Sequence, residues 1–96
     1  MKLPCRTSFG AHTINIRTVT DSLDAHVYGT WDEPELRITI CEGPADSMKF
    51  EALIHEYVEA VNSLLELQLD HAKIQALGLG LAQLLARQEY EEEPAD

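Results

Sequence analysis

The chain has 96 residues, 45% of them hydrophobic, and a formal net charge of −10. This length and hydrophobic content fit a single folded domain with a small core and do not fit a disordered chain. The charge argues against nucleic acid or an anionic membrane as a partner, because both attract clustered Lys and Arg. A field of this sign attracts cations or basic peptides.

The sequence shows neither a targeting segment nor a cysteine framework. No basic region followed by an apolar segment opens the chain, and no apolar run is long enough to span a bilayer. The two cysteines, Cys5 and Cys41, are far apart, and no C-x-x-C pair indicates a thiolate metal site or a set of disulfides. We therefore expect a cytoplasmic protein, whose oligomeric state the sequence does not reveal.

The first half of the chain has the alternation of β-strands. Strands are predicted over residues 12–19, 25–31 and 36–41. In the third, Leu36, Ile38 and Ile40 share one face. An acidic turn precedes this strand, and Gly43 and Pro44 follow it, which indicates that the strand ends there.

The second half has the periodicity of two α-helices. The first is predicted over residues 48–67, with Asp46 or Ser47 as its N-cap, and the second over residues 71–88, with Asp70 as its N-cap. Gly78 and Gly80 lower the helix propensity of the second helix, and we expect them to allow close helix packing. The predicted buried stripes are Phe50, Leu53, Ile54, Tyr57, Val58, Val61, Leu64 and Leu65 in the first helix and Ile74, Leu77, Leu81 and Leu84 in the second.

The order of these elements predicts the fold class. Strands followed by two helices indicate a small α+β protein, with a three-stranded, mostly antiparallel sheet packed on the two helices. Residues 1–88 form one domain in this prediction. Residues 89–96 read EYEEEPAD, which predicts an acidic, flexible tail.

Residues 55–59 read His-Glu-Tyr-Val-Glu, one residue away from the His-Glu-x-x-His motif of zinc peptidases. His55 and Glu59 are four residues apart, so on a helix they lie one turn apart and are able to bind the same metal ion. In the motif the intervening glutamate, here Glu56, is the general base. The alternative is an ordinary polar helix face with a solvated histidine, and the pentapeptide alone favours that alternative.

Two further observations favour a cation site. The segment 50–72 contains no Lys or Arg and five acids, namely Glu51, Glu56, Glu59, Glu66 and Asp70, so a bound cation would relieve their repulsion. In addition, His71 begins the next helix and comes near Glu59 if the two helices fold back on each other. The alternatives are an exposed first-turn residue for His71 and a cap alone for Asp70. His12 and His26, in the predicted strands, are not expected to be ligands.

The segment from Tyr28 to Leu85 resembles the small minimal zincins of phage and prophage type, which are similar to the catalytic core of the gluzincin metallopeptidases. The resemblance rests on short motifs in a shared order: the Gly-x-x-Asp turn at residues 29–32, the alternating isoleucines at 38–40, Leu-Ile-His-Glu at 53–56, and Gly-Leu-Ala-Gln-Leu at 80–84. It implies a zincin-like fold and a zinc-dependent hydrolase that acts on a peptide or protein.

The resemblance also implies the roles of the site residues. His55 is the first zinc ligand and Glu56 the general base, whereas the second histidine of the family is replaced by Glu59. Gluzincins bind zinc through two His and one Glu, and His55, Glu59 and His71 supply the same set in a different order. If His71 does not reach the site, Asp70 or Glu66 is the third ligand, or the site is inactive.

Three functional hypotheses follow. The first is a zinc peptidase, in which the strand at residues 37–41, if it is a sheet edge, binds an extended peptide by strand addition. The second is an inactive zincin-like interaction module of phage origin, which the exchange at Glu59 favours. The third, ranked last, uses the two histidines and a carboxylate to bind redox-active iron.

Overall fold

A computed structural model describes residues 3–20 and 27–88 of the chain. Four strands, β1 (Arg6–Phe9), β2 (His12–Val19), β3 (Gly29–Asp32) and β4 (Arg37–Cys41), precede two helices, α1 (Asp46–Leu65) and α2 (His71–Ala86). The predicted α+β class with two helices is confirmed, but the prediction that both helices pack on the sheet is wrong, because α2 packs on α1 and only α1 packs on the sheet. The predicted tail over 89–96 and the first two residues of the predicted second strand, which include His26, lie outside the described residues.

The four strands form one mixed sheet in the order β1-β2-β4-β3. The outer pairs, β1 with β2 and β3 with β4, are antiparallel, whereas β2 and β4 are parallel. The prediction of three strands was therefore incomplete, because β1 was missed. This strand is only four residues long, and it joins β2 through a turn in which Gly10 adopts a φ of +59°, a conformation that favours glycine.

Strand β4 lies inside the sheet, between β2 and β3. The chain passes from β2 to the outer position of β3 and returns to β4 through a turn. In this turn the Leu36 N–H donates a hydrogen bond of 3.0 Å to the Glu33 carbonyl. The hypothesis that residues 37–41 form a sheet edge is therefore wrong, since both sides of β4 are paired. The edge beside the helices is β3.

The core lies between the sheet and α1. Isoleucines of the two central strands form one side of the core, namely Ile14, Ile16, Ile38 and Ile40, and Leu53 and Ala60 of α1 pack on them. Ile38 and Ile40 share one face of β4, as the alternation in the sequence predicted. Burial of these branched side chains, each contributing roughly 1.5–3 kcal/mol, is the main stabilisation of the sheet–helix layer. One side of α1 is thus fixed against the sheet.

The two helix starts differ. Asp70 is the N-cap of α2 as predicted, because its Oδ1 accepts a hydrogen bond of 2.9 Å from the Lys73 N–H. The prediction of Asp46 or Ser47 as the N-cap of α1 was wrong, since Ala45 occupies the cap and no side chain replaces the missing bond. Neither described helix is long and apolar enough to cross a membrane.

Helix α2 buries Ile74 and two small residues instead of its leucines. Its buried positions are Ile74, Gly78 and Ala82. The predicted stripe is therefore correct only at Ile74 and wrong at Leu77, Leu81 and Leu84, which are exposed. The reason is steric: a Cβ on Gly78 would lie 3.2 Å from the His55 Cα, so leucines on this side would hold the helices apart.

The two glycines of α2 form a matched pair for testing this packing. Gly78→Ala and Gly80→Ala gain the same helix propensity, about 1 kcal/mol, but only Gly78 has a neighbour within 4 Å of its Cβ position. We expect Gly80→Ala to raise the free energy of unfolding of dilute protein, and Gly78→Ala to be less stable than Gly80→Ala by about 1–3 kcal/mol. Urea unfolding measures both; equal stabilisation by the two alanines would contradict the close helix contact.

Candidate metal centre

A cavity of about 530 Å³ lies where β3, α1 and α2 meet. Its floor is formed by α1, and its sides by the start of α2 and the N-terminal end of β3. The lining residues are Val27, Tyr28, Gly29, Met48, Glu51, Ala52, His55, Glu56, His71, Gln75 and Leu79. Three of the residues predicted from the motif, His55, Glu56 and His71, therefore share one cavity.

Glu56 is a buried carboxylate at the base of this cavity, with 6% of its surface exposed. It packs against the backbone of β3, because a Cβ on Gly29 would lie 3.1 Å from the Glu56 Cγ and 3.3 Å from its Oε2. Its carboxylate oxygens are not among the fully buried, unpartnered atoms of the described residues, so they remain open to the cavity. Burial, together with the negative charge of Glu59, raises the pKa of Glu56 to about 7.

His55 and Glu59 lie one turn apart on the side of α1 that faces α2. The His55 Nε2 is 3.6 Å from the Glu59 Oε1, and both side chains are a little over a quarter exposed. This side of α1 is therefore half-buried beside α2, whereas His71 itself is exposed, as the alternative interpretation of that residue expected. The first residue of α2, His71, places its ring edge-on to His55, with 6.1 Å between the ring centroids and 65° between the planes.

The donor chemistry of this cluster fits a zinc ion, but the side chains do not stand in the positions of a complete site. Two imidazoles and one carboxylate form a ligand set used by catalytic zinc. Imidazoles that share a tetrahedral zinc have ring centroids about 5 Å apart, given Zn–N bonds of about 2.1 Å, so the rings of His55 and His71 are about 1 Å too far apart. Within residues 3–20 and 27–88, no three His, Cys, Asp or Glu side chains stand as a complete set of ligands.

Asp70 and Glu66, the alternatives to His71 as the third ligand, lie outside the cavity. Asp70 uses one carboxylate oxygen to cap α2, and Glu66 is the exposed C-cap of α1, with a φ of 52°. Neither lines the cavity, and neither does Glu59. His12 pairs with Phe9 in the β1–β2 hairpin, also away from the cavity. Among the proposed ligands, His55 and His71 are thus the pair that the cavity brings together.

Three features of the site were not identified as functional from the sequence. Gly29 makes room for Glu56, and Tyr28 and Gln75 add neutral hydrogen-bonding groups to the cavity. The motif Gly-x-x-Asp was an available signal for Gly29, but it indicated only a turn. Tyr57 packs against the core as expected, and burial raises its pKa.

Comparison of the chain with models of protein families, with curated proteins and with solved structures found no match.

The raised pKa of Glu56 predicts how stability depends on pH. The pKa rises from 4.5 in the unfolded chain to about 7 in the folded protein. The folded state therefore binds the proton more tightly, and its stabilisation is complete below pH 4.5 and lost as the pH rises through 7. A shift of this size corresponds to at most about 3 kcal/mol.

Glu56→Gln isolates this effect, because glutamine has nearly the same shape and no charge. In the presence of a chelator, we expect the variant and the wild type to have similar free energies of unfolding near pH 4.5, with the variant more stable by up to about 3 kcal/mol at pH 8. Glu51→Gln, an exposed position on the same helix, serves as the control and should show little change. Parallel pH profiles for wild type and Glu56→Gln would contradict a buried, proton-binding Glu56.

Proposed function

We propose that this protein is a zinc-dependent metallopeptidase of minimal zincin type. The single observation that supports the proposal best is the Glu56 side chain, which is only 6% exposed and opens into the same cavity as His55 and His71. A carboxylate in such a position is costly for stability. The loss of stability that Glu56 causes is explained if its carboxylate takes up a proton during a reaction.

In the proposal, His55 and His71 bind the zinc ion, and Glu59 supplies the third ligand. Bound zinc lowers the pKa of a water molecule toward about 7 and polarises a carbonyl group. With zinc in place, Glu56 would accept the proton of the attacking water; the pKa of about 7 is that of the metal-free protein, and a nearby cation lowers it. It then donates this proton to the leaving amine, while the Tyr28 hydroxyl or the Gln75 amide is available to bind the developing charge.

The outer edge of β3, with which no other described strand pairs, is the proposed binding site for an extended peptide. The Cys41 N–H donates to the Tyr28 carbonyl, so in the alternating pattern of an antiparallel pair the polar backbone groups of Gly29 and Trp31 point away from β4. These groups lie at the outer edge of the sheet. A peptide added here as a fifth strand would pass directly beside Glu56.

The charge of the protein favours a basic peptide as the substrate. The exposed Glu51 lines the cavity, Asp32, Glu33 and Glu35 lie at the far end of β3, and the net charge of the chain is −10. A Lys or Arg side chain flanking the scissile bond would be attracted by this field. We propose the cytoplasm as the compartment, in line with the expectation from the sequence.

The second candidate function is an inactive zincin-like interaction module. The observation in its favour is Glu59, which replaces the second histidine of the motif and does not line the cavity. In this case the edge of β3 binds a partner segment without cleaving it. The two functions share the peptide-binding edge and differ in the metal and in the role of Glu56.

Metal content distinguishes the two functions. Elemental mass spectrometry of purified, untagged protein should find about one zinc per chain, with loss of the zinc in His55→Ala and in His71→Ala. Glu56→Gln should keep the zinc and lose at least about 100-fold in hydrolysis of basic peptides. His12→Ala is the control, because His12 is exposed in β2, and it should keep both.

Other outcomes of the metal measurement are also informative. Loss of zinc with His55→Ala alone would exclude His71 and leave Glu66 or Asp70 as the third ligand. Absence of bound metal even after addition of zinc would contradict the peptidase and leave the interaction module. Zinc bound with full occupancy but without any peptide hydrolysis would also favour the module.

Peptide binding at β3 is tested by NMR on the Glu56→Gln variant, which should bind without turnover. Addition of an extended basic peptide should shift the amide signals of Gly29 and Trp31 more than those of Thr30, whose backbone groups face β4. Strand β1 forms the opposite edge of the sheet and provides the internal control. Equal shifts at both edges would contradict specific strand addition at β3.

A further inference from the structure

The face of the sheet that points away from α1 carries three arginines. In the strand register Arg6 of β1, Asn15 of β2 and Arg37 of β4 stand side by side, and Arg17 lies two residues further along β2. Their neighbours in each strand face the core, so these four side chains project from the outer face of the sheet. We call Arg6, Arg17 and Arg37 the arginine triangle; Asn15 lies between them.

The three arginines are close enough together to contact one anionic group. Neighbouring strands are about 4.8 Å apart and successive residues of a strand about 3.3 Å apart, so the Cα atoms of the triangle are roughly 8–10 Å from one another. Arg6 and Arg17 are exposed. Arg37 contacts the exposed Glu35 at 3.6 Å, and an exposed ion pair of this kind contributes so little that a more highly charged anion can replace it.

The arginine triangle concentrates positive charge in a chain whose net charge is −10. It contains three of the seven Lys and Arg residues, whereas Asp32, opposite Arg37, is the one acid on this face of the four described strands. Like charges on neighbouring strands repel each other, and a bound anion would remove this repulsion. At physiological salt the Debye length is about 8 Å, so the acids of α1, behind the sheet, weaken this local field only in part.

A phosphate monoester matches the triangle better than a carboxylate does. It has three terminal oxygens and a charge of about −1.5 to −2 at pH 7, whereas a carboxylate has two oxygens and a single negative charge. A guanidinium binds oxygens through parallel N–H groups, so three arginines supply more donors than one carboxylate accepts. The side-chain amide of Asn15 adds a neutral donor between them.

The surroundings of the triangle favour a peptide as the carrier of the phosphate. Small polar side chains, namely Ser8, Thr13 and Thr30, lie on the same face, whereas the rings of Phe9 and Trp31 pack on the core. Bases of single-stranded nucleic acid stack on aromatic side chains, which this face of the described strands does not offer. An open sheet face also does not enclose a small molecule, whereas a peptide gains contacts on either side of its phosphate.

We propose that the arginine triangle, together with Asn15, binds the phosphate group of a phosphorylated peptide segment of a partner protein. Arginine clusters are a recurring means of recognising phosphorylated segments. The candidate metal centre lies on the other side of the sheet, where β3 meets the helices. The proposal therefore does not depend on the proposed metallopeptidase.

NMR of the full chain in phosphate-free buffer tests this site by titration with a peptide that carries one phosphoserine in an otherwise neutral sequence. The amide signal of Asn15 and the side-chain Nε–H signals of Arg6 and Arg17 should shift, with a dissociation constant of about 0.1–1 mM, which rises with salt. The peptide with unmodified serine should not bind. The peptide with glutamate in place of phosphoserine should bind at least about tenfold more weakly.

Substitutions of exposed arginines test the triangle directly. Arg17→Gln should raise the dissociation constant at least about tenfold, because it removes one charged donor. Arg17→Lys keeps the charge without the parallel N–H groups and should lie between Arg17→Gln and the wild type. Arg87→Gln, which removes the same charge at the exposed end of α2, is the matched control and should leave the dissociation constant within about twofold. All three should keep the wild-type melting temperature.

Several results would each overturn the proposal. They are the absence of shifts with the phosphopeptide, equal binding of the peptide with and without phosphate, equal effects of Arg17→Gln and Arg87→Gln, and shifts centred on another surface. Tighter binding of a single-stranded oligonucleotide than of the phosphopeptide would also overturn it. Inorganic phosphate should bind at least about tenfold more weakly than the phosphopeptide; equal binding would overturn the peptide as the occupant.

Discussion

The close approach of α2 to α1 is the constraint on which the remaining features of this structure depend. It is set at Gly78, whose missing Cβ lets the His55 backbone come within 3.2 Å of the position that a methyl group would take. At this separation the first residue of α2, His71, faces the His55 ring. Beside Gly78 this separation leaves no room for a large side chain, and the leucines of α2 lie on its exposed sides. The pairing of the histidines and the exposure of these leucines therefore have one cause.

A second close approach buries the carboxylate of the proposed site. Gly29 on β3 leaves the space that the Glu56 side chain occupies, and Ile40 limits this space from the sheet. Removing a carboxylate from water without a donor or a cation disfavours its charged form, which is why the pKa of Glu56 rises. The raised pKa has two consequences. The protein loses stability at neutral pH, and Glu56 would be an effective proton acceptor near pH 7 in the metal-free protein.

Local sequence patterns predicted the elements whose side chains follow a regular period. The alternation of β2 and β4, the two helices, and the Asp70 cap are properties of short segments, and the structure reproduces them. The missed features depend on partners that are distant in sequence. Strand β1 is recognisable mainly through its pairing with β2, and the position of β4 inside the sheet depends on the β3–β4 hairpin folding back beside β2.

Helical periodicity also did not identify which side of α2 is buried. Leu77, Leu81 and Leu84 have helical spacing and high hydrophobicity, so they were predicted to form its buried stripe. The line that packs on α1 keeps Ile74 of the predicted stripe and continues with Gly78 and Ala82, which are smaller than leucine. Hydrophobicity alone favours the leucines; the requirement for a close helix contact favours the smaller side chains.

For the candidate site, the sequence predicted which residues are of interest but not their surroundings. His55, Glu56 and His71 line one cavity, as the motif and the second histidine suggested, whereas Glu59 lies beside His55 and outside the cavity lining. The burial of Glu56 was not predicted, because in a helical projection it is only one more acid among five. Its burial depends on Gly29, which is 27 positions earlier in the chain.

The two glycines that shape the site act on neighbouring residues from opposite sides of α1. Gly29 of β3 admits the Glu56 side chain, and Gly78 of α2 admits the His55 backbone. The dipeptide His55–Glu56 is therefore held between the sheet and the second helix at the two places where the chain has no side chain. A histidine and a glutamate that only formed a solvated helix face would not need either glycine. This double constraint fixes the position of the proposed ligand and of the proposed base relative to each other, which is what a metal-assisted hydrolysis would require.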